Sequence, residues 1–151
     1  TTAFTIKNCD GKIPSKIKFE KVDLDILNKF KDNLSIIREK IDNQDINIYI
    51  DYIVNSLFKA NKYFNDQEPW KKKDDLIRLN TIVFTTLEII RKISFLLYPI
   101  IPDSSLKALK IFDITEKDID FSSIESNEFL TKGKKINKID ILFKKIEKNN
   151  D

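Results

Sequence analysis

An all-α, antiparallel helix bundle with an irregular C-terminal tail packed over it is the fold this 151-residue chain predicts. Three observations carry that prediction. Apolar residues recur at helical spacing through the first two thirds of the chain. The breaks between these stretches are short. The last third loses the periodicity and divides into an acidic half and a basic half.

The elements follow in order. Thr1–Asn8 opens inside an apolar run and reads as the tail of a helix, with the chain itself a piece of a longer protein. Asp10-Gly11-Lys12 is a turn signal, and an extended stretch follows to Phe19. Leu27, Phe30, Leu34, Ile37 and Ile41 recur at steps of three and four, one face of a helix. Ile46, Tyr49/Ile50, Ile53, Leu57, Ala60 and Phe64 repeat the pattern, and Leu76, Leu79, Val83, Leu87, Ile90 and Leu97 repeat it with a wider stripe. Asp42–Asp45 is polar enough to end one helix and cap the next. Pro69 ends the second stripe, because the residue before a proline avoids the right-handed helical region. Pro99 and Pro102 end the third. Short connections force antiparallel neighbours, so three helices of about 20 to 25 residues run up, down and up.

Pro102-Asp103-Ser104-Ser105 is a cap signal for a short helix over residues 103–111. Residues 103–130 then carry seven acids and three lysines, and residues 131–151 seven lysines and three acids. That asymmetry predicts a tail that folds back with its opposite charges in contact, a short strand near Ile136–Phe143, and a frayed end. The expected organisation is a single domain over residues 1–151, with a helical bundle over 1–112 and a wrapping tail over 113–151.

Composition excludes several functions. A chain of this length buries roughly 70% of the surface it would expose unfolded, so it forms a core without staples. With one Cys and no His, there is no internal disulfide, no Cys₄ or Cys₂His₂ zinc site, no His base and no Ser-His-Asp triad. Only Gly11 and Gly133 are glycines, so no Gly-rich phosphate loop exists. No run of 18 apolar residues spans a membrane. The lone Cys9 is consistent with a reducing compartment, and the cytoplasm is the expected location. The 26 Ile against 3 Val and 24 Lys against 3 Arg reflect AT-rich codon choice, which weakens any inference from lysine abundance alone.

One constellation carries chemical information. Ala60-Asn61-Lys62-Tyr63 is followed by five residues, then Pro69-Trp70 and Lys71-Lys72-Lys73. The only tryptophan therefore sits at a helix-to-helix turn beside clustered cations. An aromatic plane next to cations is what a single-stranded base needs, a stacking platform with phosphates neutralised nearby. Such a Trp is also an ordinary packing residue, Lys71–Lys73 an ordinary solvated face, and Asn61 an ordinary turn-closing hydrogen-bonder.

This stretch resembles the anticodon-binding domain of the methionyl-tRNA synthetase family, which carries Ala-Asn-x-Tyr, five residues, then Pro-Trp. Three further stretches resemble the same family in the same order. They are Asn8-Cys9-Asp10-Gly11-Lys12-Ile13-Pro14, Leu97-Tyr98-Pro99-Ile100-Ile101-Pro102, and Gly133-Lys134-Lys135-Ile136 with Leu142-Phe143-Lys144-Lys145-Ile146-Glu147. The chain departs from many members in having Ile139 or Lys144 where they carry Pro.

The resemblance implies a helical bundle that follows a Rossmann-type catalytic core of a class I aminoacyl-tRNA synthetase. It implies a partner, methionine-accepting tRNA with a CAU anticodon, and an intramolecular contact with that catalytic domain. Trp70 matches the tryptophan that stacks on an anticodon base. The Asn and Arg that the family also uses would precede Thr1. The signatures His-Ile-Gly-His and Lys-Met-Ser-Lys-Ser do not occur in this sequence. Methionine activation with ATP, and the family's zinc knuckle, would therefore belong to the full-length parent, with no catalytic residue, metal or cofactor expected in these 151 residues. On this reading Trp70 stacks, Pro69 sets its orientation, Lys71, Lys72, Lys73 and Arg78 hold phosphates, Asn61 belongs to the same RNA-binding set, and Lys62 extends the electrostatic footprint. The alternative is a helical protein-interaction module, in which the 27–41 stripe is partly exposed to a partner helix and Trp70 is a packing or interface residue.

Overall fold

The computed structural model describes residues 1–138. Six α-helices occur among them: α1 (Thr2–Asn8), α2 (Lys21–Asp32), α3 (Leu34–Asp42), α4 (Ile46–Gln67), α5 (Leu76–Leu97) and α6 (Pro102–Leu109). Short 3₁₀ turns follow α4 and α6 and recur at residues 116–118 and 121–125. The described residues contain no strand, only an antiparallel bridge between Lys12 and Lys135.

α5 is the axis of the bundle. Of its 22 residues, 17 are buried. A helix buried all round needs neighbours on every side, and here they are α2, α4, α6 and the returning tail. Its buried hydroxyls turn back on their own helix. Thr86 donates to the Ile82 carbonyl at 2.8 Å and Ser94 to the Ile90 carbonyl at 2.8 Å. Leu27, Phe30, Leu34 and Ile37 all lie in the core. Burying each such side chain contributes about 1.5–3 kcal/mol. The 27–41 stripe is therefore consumed inside the bundle, which removes the partner-helix alternative for that face.

Three expectations are corrected. The first stripe is two helices, because Asn33 breaks it. Its side-chain amide donates to the Lys29 carbonyl at 2.7 Å, and its backbone stands at φ −98°, ψ 0°. An asparagine that bonds to nearby backbone competes with helix continuation. The helix also starts earlier than the stripe, at Lys21, where Glu20 and Asp23 form a reciprocal capping box. On α4 the buried face is Tyr49, Ile53, Ser56 and Tyr63, while Ile46, Ile50 and Leu57 stay about two-fifths exposed. The two tyrosines win because their hydroxyls find buried partners, Tyr49 donating to the Leu96 carbonyl and Tyr63 to Asp23. For α6, Ile101 occupies the cap position and Pro102 the first turn, so the Asp-Ser-Ser run supplies no side-chain cap.

The tail folds back, but by a different device from the one expected. Buried charges in the middle of α5 grip its backbone. Arg91 donates to the carbonyls of Ser123 at 3.2 Å and Ser126 at 3.0 Å. Lys92 donates to the Ile124 carbonyl and to Asn127 Oδ1. Glu88 accepts the Leu130 N–H at 2.7 Å and pairs with Arg91 at 2.7 Å. Ile124, Leu130 and Ile136 are buried alongside. Among the described residues, opposite charges of the two halves meet at the surface in Asp113–Lys134 at 3.2 Å and Glu128–Lys132 at 2.5 Å, a type of pair worth about 0–1 kcal/mol. The tail then clasps the start of the chain. Ile13 donates to the Lys134 carbonyl at 2.8 Å, Gly133 to Ile13 at 2.7 Å, and Ile136 to Gly11 at 2.8 Å. Of the expected strand at Ile136–Phe143, only Ile136–Lys138 lies within the described residues, and it is irregular. The Leu142–Glu147 stretch lies outside them.

Candidate nucleic-acid interface

α4 ends at Gln67, and Glu68 turns the chain with left-handed backbone, φ 46° and ψ 56°. Pro69 forbids right-handed helix at the residue before it, and its own ring is buried as the first residue of a 3₁₀ turn, Pro69–Lys71. Trp70 rides on that turn with 42% of its surface exposed. Its ring meets Phe64 edge to face at 6.2 Å, and Phe64 in turn meets Phe4 of α1 at 5.7 Å. The indole is thus held edge-on by Phe64, itself backed by Phe4, and stays partly open to solvent.

Lys71, Lys72 and Lys73, the three residues after Trp70, are exposed. Their field is local and partly balanced. Lys71 pairs with Glu68 at 2.7 Å, and Asp74 and Asp75 follow Lys73 directly. Asp75 accepts the Arg78 backbone N–H at 2.9 Å, capping α5. Lys62 pairs with Asp66 one turn along α4 at 2.8 Å. Asn61 is exposed and lines an apolar cavity of about 430 Å³ between α4, α5 and α6, with Leu57, Phe64, Ile93 and Leu97.

Arg78 is a correction. It is only 8% exposed, and its guanidinium is committed to the fold. It binds both oxygens of the fully buried Asp23, at 2.6 and 3.0 Å, and reaches Gln67 Oε1 at 2.6 Å. Glu20 stands 3.6 Å away. Burial works against the charge, but the Asp23 hydrogen bonds and carboxylate outweigh it and hold the Arg78 pKa above its ordinary value. A cation so buried and so paired is turned away from a phosphate outside. Tyr63 completes the cluster, its phenol pKa raised by burial and by Asp23. Asp23 and Gln67 were not legible as site residues from sequence. The available signal was Tyr63 itself, a tyrosine inside the apolar face whose hydroxyl needs a buried partner.

Cys9 is a poor nucleophile. Half burial and the Asp10 charge push its thiol up to about 11.

Comparison with known proteins places this geometry. Residues 13–151 match the protein family described as the anticodon binding domain of methionyl tRNA ligase. The methionine–tRNA ligase of Brucella suis is 32% identical over 78% of this chain and 23% of its own length. The solved free-state methionyl-tRNA synthetase of Mycobacterium tuberculosis superposes on 97% of the chain with a TM-score of 0.87 and 26% identity, over 30% of its own length. The same enzyme in complex with methionyl-adenylate covers 95% of the chain and 29% of its own, with a TM-score of 0.86 and 26% identity. Bundle and Pro-Trp turn together thus fall in the class of helical anticodon-binding domains of aminoacyl-tRNA ligases. Within that class the chain belongs to the anticodon-binding domains of methionyl-tRNA ligase. It spans about a quarter to a third of the relatives it matches.

Proposed function

We propose that this chain works as one domain that reads the CAU anticodon of methionine-accepting tRNA for a full-length, ATP-dependent methionine–tRNA ligase. The observation that carries the reading is the half-exposed indole of Trp70, braced edge-on by Phe64 and flanked by exposed lysines. Trp70 stacks on one anticodon base, an interaction worth about 1–3 kcal/mol. Pro69 fixes the turn that carries it. Lys72 and Lys73 contact backbone phosphates, Lys71 joins them by leaving Glu68, and Asn61 lies beside the footprint. Arg78 has no contact with RNA on this reading.

Activation of methionine by ATP, and any zinc, belong to the catalytic part of the parent, which this domain contacts. There, anticodon binding energy positions the acceptor end at a distant site. Adenylate in the solved relative supports ATP use by the parent. No helix among the described residues is long and apolar enough to cross a membrane, and the cytoplasm is the proposed location.

The test uses the single Trp as its own reporter. Intrinsic fluorescence is followed while a stem-loop RNA with a CAU loop is added, then one with the loop scrambled. Quenching by CAU alone is the expected result. Equal quenching by both would mean charge-driven binding without anticodon reading. No response to either would overturn the proposal for this chain.

A further inference from the structure

The buried cluster beneath the Pro69–Trp70 turn does more than fill space. Arg78 joins three elements. Its guanidinium donates to both oxygens of Asp23 on α2, and its Nη2 also donates to the side chain of Gln67, the last residue of α4. Asp23 is oriented from a third side, by Glu20 N–H at 2.8 Å and by the Tyr63 phenol. The fork is therefore fixed before it reaches Gln67.

Gln67 stands at the position that decides where Trp70 points. The next residue, Glu68, is left-handed, a conformation that non-glycine residues keep only when their surroundings hold it. Besides its own backbone hydrogen bonds and the exposed Lys71–Glu68 pair, two side-chain restraints link this bend to the rest of the fold. One is the edge contact of Trp70 with Phe64, which is apolar and tolerates rotation. The other is the Arg78–Gln67 hydrogen bond, which is charge-assisted and directional. The last turn of α4 contains no basic residue of its own, so Arg78 also supplies the cation that the negative end of the helix favours.

We propose that Arg78, Asp23 and Gln67 form a positioning clamp for Trp70, holding the end of α4 so that the indole is presented in its base-stacking orientation before RNA arrives. The proposal rests on the reading of Trp70 as the stacking residue. It assigns Arg78 a role in recognition exerted through Gln67 and not through a phosphate.

The experiment uses the whole chain and varies Gln67, which is partly exposed, so that the buried Arg78–Asp23 pair stays intact. Gln67→Leu removes the acceptor, and Gln67→Glu keeps one. Time-resolved fluorescence anisotropy of the lone Trp, without RNA, reads indole motion on the nanosecond scale. Binding of a labelled CAU stem-loop reads recognition. Gln67→Leu should increase fast indole motion and weaken binding by about fivefold, less than a lost charge-assisted hydrogen bond to the RNA itself because the clamp acts only through Trp70. Gln67→Glu should restore both. In a Trp70→Ala background, Gln67→Leu should change binding by less than about twofold, because the two act through one contact. A lower melting temperature with unchanged indole motion would overturn the clamp as a positioning device. So would a fivefold loss that persists without Trp70. If the unaltered chain binds no CAU stem-loop, the anticodon reading fails, and the anisotropy arm still decides whether the clamp orients the indole.

Discussion

The described residues contain two buried arginine–carboxylate pairs, and they do different work. Arg91 and Glu88 lie one turn apart on α5, both fully buried, and spend their remaining hydrogen bonds on the backbone of residues 123–130. Arg78 and Asp23 come from two helices 55 positions apart in sequence and send one further bond to the end of a third. The first pair fastens an irregular segment to a rigid axis. The second fastens three rigid helices to one another, directly beneath an exposed aromatic ring. The same chemistry thus serves as an anchor in the middle of α5 and as a joint at its beginning.

Breaking the anchor should be the most damaging change. Arg91→Ala leaves Glu88 buried and uncompensated, and frees two strap carbonyls. A loss of about 3–5 kcal/mol in urea unfolding is expected. A loss below about 1 kcal/mol would show that the strap is held by Ile124 and Leu130 alone.

Breaking the joint should cost less. Asp23→Ala strips Arg78 of its main partner, but Glu20 at 3.6 Å is close enough to substitute in part. About 2–3 kcal/mol is expected by the same measurement. An equal or larger loss than for Arg91→Ala would reverse the ranking of the two sites.

A third experiment sharpens the anchor by pH. Burial pushes Lys92 down to about 7, the Arg91 charge adds to the shift, and Glu88 and Glu125 oppose it. The folded state therefore holds fewer protons than the unfolded state above pH 7, and stability should rise between pH 6 and 8.5. Lys92→Met should flatten that slope. An unchanged slope would place the titration elsewhere.

The smallest effect on stability should come from Trp70→Ala. A ring already 42% exposed should cost about 1–2 kcal/mol, while CAU stem-loop binding weakens by the roughly 1–3 kcal/mol of one stacked base. A large drop in melting temperature would instead make Trp70 a packing residue of the joint.

The long helices were legible in the sequence because their ends are written locally. Pro69 and Pro99 mark where α4 and α5 must stop, and a 3.6-residue stripe fills what lies between. The break at Asn33 was hidden for a physical reason, since the apolar stripe continues through it and Phe30 and Leu34 are buried on both sides. The rotation of α4 was hidden because that helix carries more apolar residues than the core accepts, and tyrosine hydroxyls decided which face went in. Trp70 and its lysines were visible as a contiguous motif. Arg78 was misjudged from the same proximity to lysines, because its partner Asp23 is remote in sequence and nothing near either residue announces the pairing.

The clasp between the start of the chain and its returning tail has a mechanical consequence. Gly11 and Gly133 take left-handed backbone at its two corners, φ 64° and 78°, and three hydrogen bonds close it. The two segments run antiparallel, so tension applied to residue 11 from one side and residue 136 from the other loads these bonds in succession. The Gly11–Ile136 rung carries the load first, and the pair at Ile13 bears it only after that rung has parted. The clasp's hydrogen bonds are therefore opened one after another, as in a zipper, and not all at once in shear, while the buried Ile13 and Ile136 add their packing to each step.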